Sequence, residues 1–541
     1  MLFLSLNLNS QNNKLSFELE QIDSFKTTIN VNNYSNSKKF KRFIDIQLHT
    51  KQLSVKLNKD GYLAHQIQIV KQNDTLYKGL ITFNSKTSKI KLLFDPSDKL
   101  PTWIQFQQHT IEFSQISNTL DALYQFYENL GYSFTEIELK NISSKGGGLT
   151  AKVKIILPSQ RNIDKVVIKG YENFPQKYIK NHLQINTKST FNKETITTVS
   201  TAIKSLNFIT EIRKPEVLFA KDSTHLYLYL KKKNSNKFDG LVGFTNSENG
   251  KLQFNGYLDI KLNNNFNYGE QLSVFWSNNG NKQEHFKLKA KTPYIFNTRI
   301  TPSINFEIYK QDSTFVNTDL LLEFDYSLNR THTVGLSVLS KESMNLLKDT
   351  MDNLVESFSK KLYGILYEYK NTSPQETLFS INSAFSLGTK ISQEISSDQY
   401  YAYLDLSFTK KITKRSSIYI HNRTETLQGN DLLQNELFQI GGSNTIRGFY
   451  EQSIFSPTYN FTNLEYRLLT SKESYMYTFT DFGITETIDS NKKDRLYSFG
   501  LGYVYKTKGG FINLNYAFGK TNKTPFDFNQ GIFHIKFTTL F

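Results

Sequence analysis

The sequence predicts an α+β N-terminal part followed by an all-β, 16-stranded antiparallel transmembrane barrel. Three observations carry that prediction. Helical periodicity is confined almost entirely to residues 1–232, and sixteen runs of strand-like alternation fill residues 233–541. No apolar run approaches the ~20 residues that a membrane-spanning helix needs. Yet the chain of 541 residues holds 43 Phe and 31 Tyr, with only 38% hydrophobic content. Strands that cross a bilayer need only ~9–11 residues and alternate lipid-facing with lumen-facing side chains, so they escape a hydropathy scan.

Residues 1–14 open with "MLFLSLNLNSQ", a short apolar stretch with no basic residue before it, and are read as a signal-peptide remnant. Three repeats follow, at 15–96, 97–160 and 161–232. In the first, "FKRFIDIQLHTKQLSVKLNKDGY" reads as a helix and "HQIQIVKQ", "LYKGLITF" and "KIKLLF" as strands. In the second, "ISNTLDALYQFYENLGY" is a helix, followed by the strands "FTEIELKN" and "LTAKVKIIL". Both helices stop at a Gly-Tyr pair (Gly61-Tyr62 and Gly131-Tyr132), as expected for a glycine C-terminal stop. The third repeat is the clearest. Its order is β-α-α-β-β, and its second helix places Ile196, Val199, Ile203 and Leu206 on one face.

The barrel strands are expected to start near 238, 250, 269, 283, 299, 314, 331, 360, 376, 399, 415, 459, 475, 495, 510 and 531. "KLQFNGYLDIKL" shows the pattern well, with Leu252, Phe254, Leu258, Ile260 and Leu262 on one parity and charged or amide residues on the other. The last run, "GIFHIKFTTLF", ends the chain on a strand, which suits a barrel whose last strand pairs with its first. The two longest connections, 341–359 and 425–458, follow the seventh and eleventh strands and therefore fall on the same side, the side where barrels carry long loops. Leu347, Met351, Leu354, Val355 and Phe358 have helical spacing, so the first of these connections is expected to hold a short capping helix.

Net charge is +16, but the lysines cluster at strand ends ("KKITKR", "KTKGG") rather than on one face, which fits solvated turns and no nucleic-acid partner. With no cysteine, disulfides, thiolate metal sites and cysteine nucleophiles are excluded. There is no P-loop, G-x-S-x-G, H-E-x-x-H or G-x-G-x-x-G motif, and the nine histidines lack metal-ligand spacing. The expectation is no enzyme, no metal and no cofactor.

Four motifs follow the repeats in order: "FDGLVGF" at 238–244, "IRGFYEQS" at 446–453, "NLEYRLL" at 463–469 and "FTDFG" at 479–483. In this arrangement the chain resembles the BamA/TamA outer-membrane superfamily, whose repeats are called POTRA domains. Ile446 stands where the family's loop signature begins with valine. The resemblance implies that the loop after the eleventh strand folds into the lumen, where Arg447 meets Asp481 with Glu465 nearby. Gly441, Gly442 and Gly448 would let the backbone turn and approach the wall, Phe449 would wedge the tip, and Phe479 and Gly483 complete the motif of the thirteenth strand. Phe537 and Phe541 would form the C-terminal barrel signal. Alternation alone does not place Asp481, because Tyr475, Tyr477 and Phe479 share its parity.

The resemblance further implies an assembly or translocation factor in the outer membrane of a Gram-negative bacterium, with the repeats in the periplasm. Its partners would be unfolded outer-membrane or secreted client proteins, membrane lipid, and inner-membrane or lipoprotein components. Three repeats make the layout most like TamA. The alternatives are a two-partner secretion pore for one dedicated substrate, which would carry two repeats behind a plug helix, and a passive outer-membrane channel.

Overall fold

The computed structural model describes residues 14–22, 34, 38–145, 148–186, 188–246, 252–278, 283–347, 355–371, 377–488, 492–507 and 509–540. The expected signal remnant, apart from Lys14, lies outside these residues, as does Phe541. The chain forms two compact units, residues 1–162 with 190–194 and residues 163–189 with 195–541.

The first unit holds two four-stranded sheets of one topology. β1 (Leu15–Gln21), β2 (Lys38–Phe40), α1 (Phe43–Lys59), β3 (Gln66–Lys71) and β4 (Leu76–Thr82) form the first, ordered β2-β1-β4-β3 with β1 parallel to β4. β5 (Lys89–Leu93), β6 (Gln108–Glu112), α2 (Ile116–Asn129), β7 (Glu136–Lys145) and β8 (Gly148–Ile156) form the second, ordered β6-β5-β8-β7 with β5 parallel to β8. The sequence reading assigned "KIKLLF" to the first repeat. As β5 it pairs instead with β6 and β8, and its Ile90 and Leu92 pack under Leu123 and Tyr127 of α2. Among the described residues, neither of these repeats has two helices. In the second, the place of a first helix is taken by β6, an edge strand that buries Ile111. Gly61 and Gly131 end their helices at φ +97° and +93°. The following Tyr62 and Tyr132 N–H groups return to the Leu57 and Tyr127 carbonyls at 2.9 and 3.0 Å, closing a six-to-one turn that a left-handed glycine permits.

The third sheet follows the same plan. β9 (Asn162–Ile163), β10 (Lys165–Lys169), α3 (Lys177–Asn181), β11 (Ser189–Thr190), α4 (Lys193–Lys204), β12 (Ile209–Phe219) and β13 (Thr224–Lys232) follow in sequence. The sheet order is β10-β13-β12, with β10 parallel to β13. Val199 and Ile203 of the expected stripe lie on the buried face of α4, and α3 is a shorter helix than "PQKYIKNHLQ" suggests.

The rest is a closed barrel. Its strands are β14 (Lys237–Asn246), β15 (Leu252–Asn263), β16 (Gln271–Asn278), β17 (Glu284–Lys291), β18 (Ile300–Gln311), β19 (Phe315–Ser327), β20 (His332–Asn345), β21 (Phe358–Lys370), β22 (Thr377–Ser392), β23 (Ile395–Lys411) and β24 (Ser416–Gly429). After a loop containing the short strands β25 (Phe438–Ile440) and β26 (Ile454–Ser456), it continues with β27 (Thr458–Leu469), β28 (Tyr475–Glu486), β29 (Lys493–Lys506), β30 (Gly510–Thr521) and β31 (Ile532–Leu540). All sixteen barrel strands thus sit at or within a few residues of their expected starts. β20 runs through Asn345 and β21 starts at Phe358, so strand takes both ends of the 341–359 connection; the capping helix expected there falls mostly on 348–354, outside the described residues.

Alternation divides the wall. Leu336, Ile365, Leu387, Leu501 and Ile535 point outward and are more than half exposed, whereas Asp405, Glu465 and Asp481 point inward. Apolar side chains thus line the outside of the barrel and charged ones its inside, the inverse of the arrangement in a soluble domain.

Candidate functional site

Two features of the barrel have functional geometry: a loop inside it and a weak join in its wall. The loop between β24 and β27 enters the lumen, and glycines shape its path. Gly441, Gly442 and Gly448 adopt φ +111°, +97° and +79°, values a side chain disfavours. Gly448 also rests against the backbone of Gly519 on β30, where an added Cβ would stand 2.7 Å from the Gly519 nitrogen. Ile446 is fully buried and fits beside Gly483, whose missing Cβ leaves room for it. Phe449 joins the small apolar cluster of Ile440, Ile446, Tyr459, Phe461 and Leu496 that seats the tip.

Between those contacts, Arg447 is 5% exposed and Asp481 0%. The guanidinium donates to both Asp481 oxygens, from Nε at 2.8 Å and Nη2 at 2.6 Å, and from Nη1 to Glu465 Oε1 at 2.7 Å. The Arg447 backbone N–H adds a further bond to Asp481 at 3.0 Å, and the Ser498 hydroxyl donates to the same carboxylate at 3.3 Å. The Phe479 ring lies under the guanidinium, 3.7 Å from its carbon. Cation, two carboxylates and an aromatic face thus satisfy each other in a site nearly closed to water, which a lone buried charge could not tolerate. Asp481 faces inward together with Tyr477 and Phe479, so the inner wall at β28 is partly aromatic. That explains why hydrophobic parity alone could not orient the strand. Arg447, Asp481, Glu465 and Phe479 meet in this cluster, with Gly448, Phe449 and Gly483 packed around the loop tip. Phe537 lies on the outer face of β31, 54% exposed, and does not enter the lumen.

Sequence reasoning missed three partners. Arg467 donates to the second oxygen of Glu465 at 2.7 Å and so shares that carboxylate with Arg447. Gly519 supplies the bare backbone against which Gly448 packs. Glu436, further back in the same loop, binds Lys390 on β22 and Lys360 on β21. A charged residue on the lumen parity of a strand was the available signal for the lysines; nothing local marked Glu436.

The join between first and last strands is the second feature. β14 pairs with β31 through Lys237↔Leu540 and Phe238↔Thr539 alone among the described residues. Every other pair of neighbouring barrel strands is registered over eight or more residues, β30 with β31 included. Beyond Phe238, the described part of β14 pairs on one side only, with β15.

The third sheet is seated on the barrel turns next to this join, within the same compact unit. Tyr178 is 4% exposed, donates to the Gly269 carbonyl at 3.1 Å and meets the Tyr294 ring edge-on at 5.0 Å. The Asn264 amide donates to the Tyr171 hydroxyl at 2.8 Å and its oxygen accepts from Gly269 N–H at 2.8 Å. His182 bonds Ala202 O at 3.1 Å and Tyr294 Oη at 3.3 Å; burial lowers its pKa to about 4, with Arg330 adding a smaller push the same way.

No family model matches the chain, and no curated protein matches it. Solved structures do. CdiB from Escherichia coli superposes with a TM-score of 0.53 at 12% identity, covering 92% of this chain and 98% of that one. CdiB from Acinetobacter baumannii gives 0.52 at 12% identity, over 92% and 97%. A weaker likeness is to BamA from Haemophilus ducreyi lacking POTRA domains 1–3, with a TM-score of 0.48 at 12% identity over 84% and 100%. At this identity the CdiB similarities establish a shared fold over almost the whole chain, in keeping with the fold expected from the sequence motifs.

Proposed function

We propose that this protein is an outer-membrane assembly or translocation factor that inserts or exports client polypeptides. The observation that carries the reading is the two-residue join between β14 and β31 in a barrel otherwise zipped over eight or more pairs. Beyond Phe238 the free edge of β14 leaves backbone N–H and C=O groups for an extended client strand to pair with. The three α+β sheets, each with its first strand parallel to its last, are read as POTRA domains in the periplasm, and their edge strands offer the same backbone pairing to incoming chain. Three of them support the TamA-like layout, with lipid around the apolar wall and inner-membrane or lipoprotein components as further partners. The mechanism uses backbone pairing and bilayer contact and needs no covalent chemistry, so we read the protein as a non-enzyme.

The test uses the cysteine-free chain. Phe238→Cys with Thr539→Cys places a disulfide across the join. In liposomes containing the purified protein, the oxidised form should fail to accelerate insertion of an unfolded barrel client, and reduction should restore the rate. Equal rates for the two forms would end the seam reading. A second reading is favoured by the lumen itself, a cavity of about 730 Å³ lined by His285, Glu307, Asp319, Arg423 and other polar groups. It makes the protein a secretion pore for one dedicated polypeptide. That reading predicts that export continues with the seam locked.

A further inference from the structure

The latch at Arg447 fixes only one leg of the lumen loop. The other leg is held several strands further round the wall, on β21 and β22, by an arrangement of opposite polarity. Lys360 on β21 and Lys390 on β22 stand directly across from each other in the strand register. They are 5% and 2% exposed. Like charges so placed repel, and burial strengthens the repulsion. Glu436 resolves it. Its carboxylate accepts from Lys390 Nζ at 2.7 Å, Lys360 Nζ at 3.4 Å and Gln399 Nε2 at 2.6 Å, and from the Leu433 backbone N–H at 3.0 Å. Lys390 also reaches the Asp431 carbonyl at 2.6 Å. Beside it, Asn435 donates to Ser343 Oγ at 2.6 Å and to the Glu356 carbonyl at 2.7 Å, and its own carbonyl accepts from Asn317 at 2.8 Å. Two further charges lie close to the pair, Lys341 and Asp319, and they bind each other at 3.2 Å.

We propose that Lys360, Lys390 and Gln399 are a carboxylate-binding site on the lumen wall, occupied at rest by the loop's own Glu436. The wall residues come from β21, β22 and β23, so the barrel itself holds them in place whether or not the loop is there. The loop is then a strap pinned at two separate points on the lumen wall, and the Glu436 leg is the releasable one. With Arg447 still latched, Glu436 stays at high local concentration near its site and returns when a competitor leaves. The ligand class that competes is an acidic peptide segment, because two ammonium groups and an amide donor match a carboxylate and repel a cation. This inference stands apart from the seam reading, since it concerns the lumen and is measured with the seam locked or free.

The experiment is ion conduction by the purified protein in planar lipid bilayers. Glu436→Gln vacates the site with little change of shape. The expected result is a several-fold rise in mean open current, a reversal potential shifted toward anion selectivity by the two uncovered lysines, and block of that current by poly-glutamate. Adding Lys360→Gln and Lys390→Gln should keep the larger current while removing both the anion selectivity and the block. Ser343→Cys with Asn435→Cys pins the same leg by a disulfide; the oxidised form should be quiet, and the reduced form, without the Asn435 amide bonds to Ser343 and Glu356, should conduct more, which keeps the proposal testable if E436Q does not fold. A folded E436Q with wild-type current and selectivity, or an oxidised S343C/N435C that conducts as the reduced form does, would overturn it.

Discussion

Breaking the Arg447 latch from either side should cost unequally, and the structure gives the order. Arg447→Met leaves the fully buried Asp481 with only a backbone N–H at 3.0 Å and a hydroxyl at 3.3 Å. An uncompensated buried charge of this kind costs about 3–5 kcal/mol. Asp481→Asn is milder, since the guanidinium keeps Glu465 at 2.7 Å and the Phe479 face; losing one charge-assisted pair costs about 2–3 kcal/mol. Glu465→Gln should be milder still, as Arg447 retains its two-pronged bond to Asp481. The double variant R447M/D481N removes both charges together, so it should cost no more than R447M alone, a coupling of about 2 kcal/mol or more. The charge exchange Arg447→Asp with Asp481→Arg should recover part of the loss and no more, because the carboxylate introduced on the loop would then face that of Glu465. Urea unfolding of the barrel in detergent micelles, followed by heat-modifiable gel mobility, measures all of these. Additivity of the two single losses within about 0.5 kcal/mol would refute a coupled latch.

Three further outcomes are expected. Gly448→Ala adds a side chain at φ +79° and 2.7 Å from the Gly519 nitrogen, so the loop tip should lift from the wall. Protease cleavage within residues 441–453 should rise, whereas Gly509→Ala, with nothing within 4 Å of the added carbon, should behave as wild type. Gly269→Ala would drive a methyl into the Tyr178 ring and hydroxyl, so it should unseat the third sheet, read as faster proteolysis between 233 and 236 with the barrel intact. His182 has a folded pKa of about 4, below its unfolded value, so the neutral ring stabilises the fold. That contribution is complete above about pH 6.5 and falls as pH drops toward 4, by on the order of 2–3 kcal/mol. His182→Gln should flatten this acid dependence in the same proteolysis assay.

Much of the fold could be read in the chain because a barrel strand has a short-range code. "FINLNYAFG" and "GIFHIKFTTLF" announce strands by parity alone, since successive side chains of a barrel strand alternate between its outer face and the lumen. The Gly-Tyr helix stops were equally legible, a left-handed glycine being a local requirement. "KIKLLF" was misassigned because a strand's parity does not say which sheet it joins; β5 reaches β8 across more than fifty residues. The expected helix before Phe358 falls mostly on residues 348–354, outside the described residues; its last position, Phe358, opens β21, because pairing with the neighbouring strand claims it.

By itself the sequence determined the number of barrel strands and, within a few residues, their boundaries; which arginine meets which aspartate came from the resemblance carried by the "IRGF" and "FTDFG" motifs. Only the tertiary structure decided that Asp481 faces inward among aromatic rings, that Glu436 holds two lysines on β21 and β22, and that β14 and β31 barely join. Each of these depends on distances between residues far apart in the chain, set when the barrel closes. Alternation along a strand fixes two faces but cannot say which is inside, what crosses the lumen, or where the hydrogen-bonded register runs out.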